Sequence, residues 1–331
     1  MDFRFDDDEL TIIGEARQTI RHYLPRERFF HGSEAQGDWP ALGHGGWLHA
    51  GLAGDFGGSD LPLHVVAGIA KEAGAVLAGD AYVNNAVLIP QLLARTDDAE
   101  RLLAEHLERP GFLLVDGRVP SLMCTAATSS RWCYGVEPGF VPFAIRPDGL
   151  YRYGSESVSF KSLGEVMRGL GDVVLDGGAA ERFGLDADLA VLQSEAAVTS
   201  AAALVGLGEA ALADTCAYVL DRHQFGGPIG RFQAIKHELA NIAVELEIAW
   251  NAVLYAALLL DDAEVRIARY QAARASNRAT RAMVQFFGGI GVTLEHHAHL
   301  YMKASATSAV RFGSAEAEAE ALGRLLVGGA A

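Results

Sequence analysis

The strongest constraint on the fold is a helical pattern that fills the C-terminal part of the chain. Around residues 232–253 the apolar side chains recur at alternating steps of three and four: Phe232, Ile235, Leu239, Ile242, Leu246, Ala249 and Val253. This spacing places side chains on one face of an α-helix. Helical patterns with short links also cover about residues 192–222, 265–287, 298–312 and 315–326. Long helices joined by short links predict an antiparallel bundle.

Two regions with different patterns of apolar residues precede this bundle. Residues 6–108 also have helical spacing, whereas residues 110–178 hold short apolar runs bounded by turn residues, which predict strands. The predicted strands cover 112–115, 140–145, 150–153 and 173–175, the middle two forming a hairpin. The sequence therefore predicts a mainly α fold with a small β middle domain. We place the domain bounds at 1–109, 110–188 and 189–331.

Composition excludes several classes of function. The 331 residues carry a net charge of −15, which disfavours nucleic acids and anionic membrane surfaces as partners. Cys124, Cys133 and Cys216 lack metal-ligand spacing and are expected to be free thiols. The acidic N-terminus lacks the apolar segment of a signal peptide, and no apolar run approaches the ~20 residues of a membrane span. We expect a cytoplasmic protein.

The segment from Arg222 to Gln233 joins two long helical patterns. Gly226 and Gly227 allow a sharp turn, Arg222 offers a charged fork suited to a pyrophosphate, Phe225 a flat apolar face and Gln233 a paired donor and acceptor. These groups suit a dinucleotide. On spacing alone, an ordinary helix link with an exposed arginine is the favoured explanation of the segment.

Two other polar or glycine-rich segments follow. Gln285, Gly288 and Gly289 end a helical pattern, where glycines serve as C-caps or let a ligand approach backbone N–H groups. Glu295 and His299 lie four residues apart and could share a helix face, so a metal site is conceivable. No further ligand pair supports it. We expect a polar helix start and no metal.

The two glycine-containing segments, 221–240 and 285–295, together resemble the signatures of acyl-CoA dehydrogenases. The resemblance is strong over residues 190–313 and moderate over 40–110. It implies an N-terminal helical domain, a middle β domain and a C-terminal four-helix bundle. It also implies FAD, which accepts a hydride from an acyl-CoA while a glutamate removes the α proton. The residues expected to reach across a dimer interface to the ADP part of FAD are Arg222, Phe225, Gln233, Gln285, Gly288 and Gly289.

The chain departs from the family pattern at the expected catalytic base. Phe312 precedes Gly313 where one group of members has its glutamate, and Ala196 stands at the alternative position. Glu195 is adjacent to Ala196, but one residue turns a helix by ~100°. We therefore expect no catalytic residue on this chain. The family's Thr-Glu-Pro-like segment is not recognisable after Val115, where residues 118–131 are rich in Ser and Thr, and the region holds too few strands for the usual barrel.

These departures resemble the subunit without the glutamate in the actinobacterial α2β2 acyl-CoA dehydrogenases that act on steroid side-chain CoA thioesters. The resemblance implies a longer partner subunit that supplies the base, one FAD per heterodimer, and an electron-transferring flavoprotein as acceptor. Two alternatives stay open. The chain could be a self-sufficient homomer that uses Glu195, or a non-catalytic structural or acyl-CoA-binding module.

Overall fold

The computed structural model describes residues 5–115, 122–124, 129–137, 139–154, 158–162, 170–175 and 180–328. The α-helices of these ranges are α1 Asp7–Tyr23, α2 Trp39–His44, α3 Leu63–Ala75, α4 Gly79–Val83, α5 Ile89–Leu93, α6 Ala99–Glu108, α7 Leu189–Asp221, α8 Gln233–Leu259, α9 Asp262–Phe287, α10 Ala298–Ser308 and α11 Ala315–Gly328. A π-helical turn, Asn84–Leu88, joins α4 to α5. The predicted helical N-terminal region and C-terminal bundle are confirmed.

The N-terminal helices pack onto the bundle through small residues. The α1 helix begins with a capping box in which Asp6 and Glu9 each accept a hydrogen bond from the other's backbone amide. Its buried face packs against α3. Gly206 of α7 faces the carbonyl of Lys71 on α3, and a Cβ there would lie 1.8 Å from that oxygen. This close approach fixes the N-terminal helices against the centre of α7.

The middle region contains two sheets. Its strands are β1 Gly111–Leu114, β2 Ser129–Tyr134, β3 Val141–Arg146, β4 Gly149–Tyr153, β5 Val158–Ser162, β6 Leu170–Leu175 and β7 Ala180–Phe183. One sheet has the order β1-β3-β4-β7 and the other β2-β6-β5. The β3–β4 pair is antiparallel, which confirms the predicted hairpin. The proposed middle domain of residues 110–188 encloses all seven strands.

The described residues contain more strands than the sequence predicts. The predicted strands correspond to β1, β3, β4 and β6, and the sequence analysis missed β2, β5 and β7. Both β5 and β7 are edge strands, which bury little and lack a long apolar run. Most of residues 118–131, whose composition we contrasted with the family, lie outside the described residues. The strand count therefore no longer argues that this region is incomplete.

The bundle is built around α7, α8 and α9. The α7 and α9 helices run in the same direction, since Ser200 contacts Arg269 and, further along, Gly208 packs against Ser276. The α8 helix runs antiparallel to both and packs against both, while α7 and α9 contact each other directly. By length and hydropathy, α7 and α8 would suffice to cross a membrane, but 78% of the apolar window of α7 is buried in the protein. For α8 the buried share is only 39%, so one apolar face of this helix remains uncovered.

Candidate functional site

The link between α7 and α8 is an ordered hairpin. Two short strands, β8 His223–Gln224 and β9 Gly227–Pro228, pair antiparallel. The two residues between them, Phe225 and Gly226, have φ values of 55° and 82°. Positive φ at both central positions is the geometry of the tight two-residue hairpin turn. Phe225 adopts this strained conformation without being glycine, which marks the turn as more than a simple link.

Arg231 holds this turn in place. Its guanidinium donates hydrogen bonds to the carbonyl of Gly226 at 3.3 Å and to that of Phe225. It also lies 5.1 Å from the ring centre of Phe232. As a result, Phe225 is presented to solvent with 83% of its surface exposed. The sequence analysis missed this role of Arg231.

The three predicted site residues of this segment are all exposed. Arg222 ends α7 and Gln233 begins α8, with Phe225 at the tip of the hairpin between them. Within the described residues Arg222 makes no ion pair, so its guanidinium is available to an anion. A rigid loop with an exposed cation and an exposed ring can bind the phosphates and the flat face of a nucleotide.

The three site residues of the second segment lie at the end of α9. Gln285 is in its last turn, and Gly288 and Gly289 follow in a 3-10 turn, all exposed. Gly288 has φ 65° and ψ −141°, a conformation that side chains exclude. Because α7 and α9 are parallel, this segment and the hairpin lie at the same end of the bundle. All six predicted cofactor residues are thus brought to one exposed end.

The two positions expected for a catalytic base hold apolar side chains. Ala196 on α7 is fully buried and Phe312 is 8% exposed. Arg269 of α9 is buried near Phe312: its guanidinium donates to Ser200 Oγ at 3.2 Å and to the carbonyls of Ala309 and Gly313.

Arg269 also lies close to Phe312. Its guanidinium carbon is 5.7 Å from that ring centre, and that of Arg311 is 5.0 Å away. Burial lowers the pKa of Arg269 to about 10, so it remains charged at pH 7. A buried cation therefore lies in this part of the fold, and the carboxylates of Glu318 and Asp80 oppose the lowering of its pKa. The sequence alone did not identify it, because an arginine in a helical pattern is ordinarily a surface residue.

Glu195 is half-buried on α7. Burial raises the pKa of its carboxyl group, while the nearby Arg95 opposes that shift. A raised pKa is a property of general bases. However, Glu195 is not among the residues that line the cavity described next.

A cavity of about 130 Å³ lies between the α3–α4 turn, α7 and α10. Small and leucine side chains form most of its wall, and the polar side chains of His299 and Lys303 face it from α10. The idea that Glu295 and His299 share a helix face was wrong, because α10 begins only at Ala298. Glu295 is exposed in the preceding turn, whereas His299 is buried, so the two side chains lie in different environments.

A family model matches the C-terminal part of the chain. Residues 184–327 match the family described as "Acyl-CoA dehydrogenase, C-terminal domain". The chain is 38% identical over 136 residues to Acyl-CoA dehydrogenase IpdE2 of Mycolicibacterium smegmatis, a match that covers 41% of this chain and 43% of that protein. The match thus spans about two fifths of that curated relative. The resemblance seen in the two signature segments is confirmed.

Solved structures extend the likeness to the whole chain at the level of fold. The ChsE4-ChsE5 complex from Mycobacterium tuberculosis includes a chain with a TM-score of 0.78 and 23% identity, and the match covers 99% of both chains. A variant of the Tcur3481-Tcur3483 steroid ACAD has a TM-score of 0.76 at 23% identity, covering 98% of this chain and 99% of that one. These similarities confirm the predicted fold class.

Proposed function

Because this chain has the acyl-CoA dehydrogenase fold and residues 184–327 belong to that family's C-terminal domain, we propose that it is the accessory subunit of a heteromeric acyl-CoA dehydrogenase. In this proposal the enzyme desaturates an acyl-CoA between Cα and Cβ with FAD. The partner is a longer dehydrogenase chain that supplies the catalytic glutamate. This chain contributes contacts to the ADP part of the FAD.

One observation carries the proposal: both base positions are filled by buried side chains that cannot accept a proton. Ala196 is fully buried, and Phe312 is buried near the guanidinium of Arg269, which holds its charge at pH 7. A general base must lie within hydrogen-bond reach of the proton that it removes. Neither position meets that requirement, and in this proposal a group on the partner chain takes the α proton.

The exposed end of the bundle fits the nucleotide part of FAD. Arg222 supplies a planar cation for the pyrophosphate, and Phe225 supplies an apolar face. The backbone of Gly288 and Gly289 allows close approach of the nucleotide. FAD, when bound, supplies the hydride acceptor. The residues of this chain bind and orient its distal half and leave the flavin ring to the partner.

The uncovered face of α8 supports an assembly of two chains. Val244 and Ile248 are 59% and 50% exposed on this helix, and Val292 beyond α9 is 63% exposed. Apolar side chains concentrated on one face mark an interaction surface. Two of the similar structures are themselves named as pairs of chains, ChsE4-ChsE5 and Tcur3481-Tcur3483. We extend the α2β2 arrangement to this chain on that basis.

The finer features of the proposal follow the named relatives. The term steroid ACAD supports a steroid side-chain CoA thioester as the substrate. We propose an electron-transferring flavoprotein as the electron acceptor and the cytoplasm as the compartment. A second candidate is a self-sufficient homomer, and the observation that favours it is the raised pKa of Glu195.

The test is to purify the chain alone and after coexpression with a longer dehydrogenase chain encoded beside it. We expect a colourless chain alone, and a complex with one FAD per heterodimer that reduces its flavin with an acyl-CoA. A yellow, active homomer would overturn the proposal in favour of Glu195. A stable complex that never retains flavin would favour a structural module.

A further inference from the structure

The cavity beside α10 contains a buried imidazole without a partner. His299 is 6% exposed and lines the cavity, and neither ring nitrogen has a hydrogen-bond partner among the described residues. Buried polar groups in native proteins are normally hydrogen-bonded, so an orphaned one needs an explanation. Burial, with help from Lys303, lowers the pKa of His299. At pH 7 the neutral ring thus has one N–H to donate.

A cation lies beside this imidazole. Lys303 is one turn further along α10, so both side chains face the cavity from the same side. In the part of the chain that the structure describes, Lys303 has no ion pair. Each of the two acids that line the cavity lies beside an arginine. Asp80 accepts from Ser308 at 2.5 Å and from Arg311, and Glu137 accepts from Trp39 through Oε2 while its Oε1 lies 3.8 Å from the guanidinium of Arg28 and has no hydrogen-bond partner among the described residues. The uncompensated charge facing the cavity is therefore positive.

The opposite wall is apolar and rigid. Leu77 lines it with φ 62°, a left-handed conformation that a leucine rarely adopts. Gly74 and Gly79 on either side press against Ala203, where a Cβ on Gly74 would lie 1.9 Å from the carbonyl oxygen. The packing thus holds Leu77 in a strained form. Strain that the surrounding structure maintains clusters at ligand sites.

We propose that this cavity binds a small carboxylic acid with an apolar chain, whose carboxylate accepts from His299 and pairs with Lys303. The apolar chain lies against the leucine and glycine wall. One cation and one imidazole match a single carboxylate and do not match the several phosphate charges of a coenzyme A. The site is separate from the exposed nucleotide end of the bundle, and the ligand does not react there.

The test uses linear fatty acids from butanoate to decanoate, titrated by calorimetry into the full chain without flavin. We expect affinity to rise about three- to fourfold per methylene and then to level off when the cavity is full. Octanol, which has the same apolar chain without the charge, should bind roughly tenfold to a hundredfold more weakly than octanoate. The measurement does not depend on FAD, so its outcome is independent of the proposed dehydrogenase role.

Two variants test the polar groups. Lys303→Met and His299→Leu should each weaken octanoate roughly tenfold or more, whereas Lys161→Met, an exposed lysine on β5, should leave binding unchanged. Thermal unfolding checks that His299→Leu remains folded, and Lys303→Met provides the test if it does not. Any one of three results would overturn the proposal and leave the cavity to water: no binding at millimolar octanoate, equal binding of octanol, or unchanged binding in Lys303→Met.

Discussion

Tyr218 of α7 and Phe287 of α9 stack with their ring centres 4.1 Å apart and their planes at 19°. Each ring precedes one of the two glycine-containing segments: Tyr218 lies one turn before Arg222, and Phe287 lies directly before Gly288. The stack therefore fixes the distance between the two segments through a pair of rings that are 69 residues apart in the sequence. In the sequence each motif indicates only the end of a helix. This contact holds the two motifs side by side, so that they form one surface.

The first prediction concerns this stack. Phe287→Ala removes a buried ring and should lower the free energy of unfolding by about 3–5 kcal/mol, measured by urea denaturation. It should also lower the flavin content of the complex, because the two segments lose their common anchor. Tyr218→Phe is the control, since it keeps the ring and should retain flavin. A Phe287→Ala complex with full flavin content would show that the stack does not position the site.

The second prediction concerns Arg222. Its replacement by alanine removes a charge-assisted pair with pyrophosphate and should weaken FAD binding in the complex roughly tenfold to a hundredfold. The readout is flavin absorbance per protein after gel filtration. Arg21→Ala, an exposed arginine on α1, should leave the flavin content unchanged. Normal flavin retention in the Arg222 variant would contradict the assignment of this end of the bundle to the nucleotide.

The sequence predicted the elements with long periodic patterns and missed those whose identity depends on partners. The bundle helices were predictable because α8 repeats its apolar spacing over many turns. The edge strands β5 and β7 were not, because an edge strand is defined by the neighbour to which it pairs and buries few side chains of its own. Strand content is therefore underestimated by apolar runs alone.

The same distinction holds at the site. The exposed residues Arg222 and Phe225 lie in a motif of recognisable residue types and could be predicted. The roles of Arg269 and His299 could not be predicted, because each side chain is buried by segments that are distant in the sequence. His299 belongs to a run of histidines that reads as a polar helix start, and only the fold turns one of them inward.

The third prediction uses a buried histidine pair. The Nε2 of His49 lies 3.1 Å from the Nδ1 of His106, whose Nε2 lies 3.1 Å from Asn85 Oδ1. Asn85 Oδ1 also accepts from the amide of Gly111 and its amide group donates to Ala81, so His106 donates through Nε2 and accepts through Nδ1. Protonation would remove this acceptor and charge a buried ring.

Stability should therefore fall with acid. Burial lowers the pKa of His49 to about 4 and, with the charge of His49, that of His106 to about 3. In the unfolded chain both protonate near pH 6.5, so below that pH the unfolded state binds more protons. The contribution of the two histidines to the free energy of unfolding is fully present above pH 6.5. It is lost toward pH 4 at up to about 1.4 kcal/mol per pH unit for each histidine. The free energy of unfolding, measured with urea at pH 7, 6 and 5, should change less with pH in His106→Gln than in the unmodified chain. In His22→Gln its change with pH should be the same as in the unmodified chain.

The fourth prediction concerns Glu195. Although burial raises the pKa of its carboxyl group, Glu195 is one residue away from Ala196, the position expected for the base, and one residue turns a helix by ~100°. Glu195→Gln keeps the size of the side chain and removes its basicity. Turnover of the complex with an acyl-CoA should stay within about threefold of the unmodified complex, since one lost general base typically costs a factor of ~100 or more. A loss of that size would instead assign the base to this chain.

The fifth prediction is that Phe312→Glu does not create a catalytic chain. A carboxylate at this position would lie beside the guanidinium groups of Arg269 and Arg311, both now within 6 Å of the Phe312 ring centre. Two cations would hold its pKa well below the ordinary value and engage its oxygens, so it would be ionised but a weak base. In a complex whose partner has its catalytic glutamate replaced by glutamine, Phe312→Glu should not restore bleaching of the flavin on anaerobic addition of an acyl-CoA, and Phe312→Gln should behave in the same way. Flavin reduction in the Phe312→Glu complex would mean that a single residue separates this chain from one with a working base. Its absence would mean instead that the whole environment of Arg269 distinguishes an accessory subunit from a catalytic one.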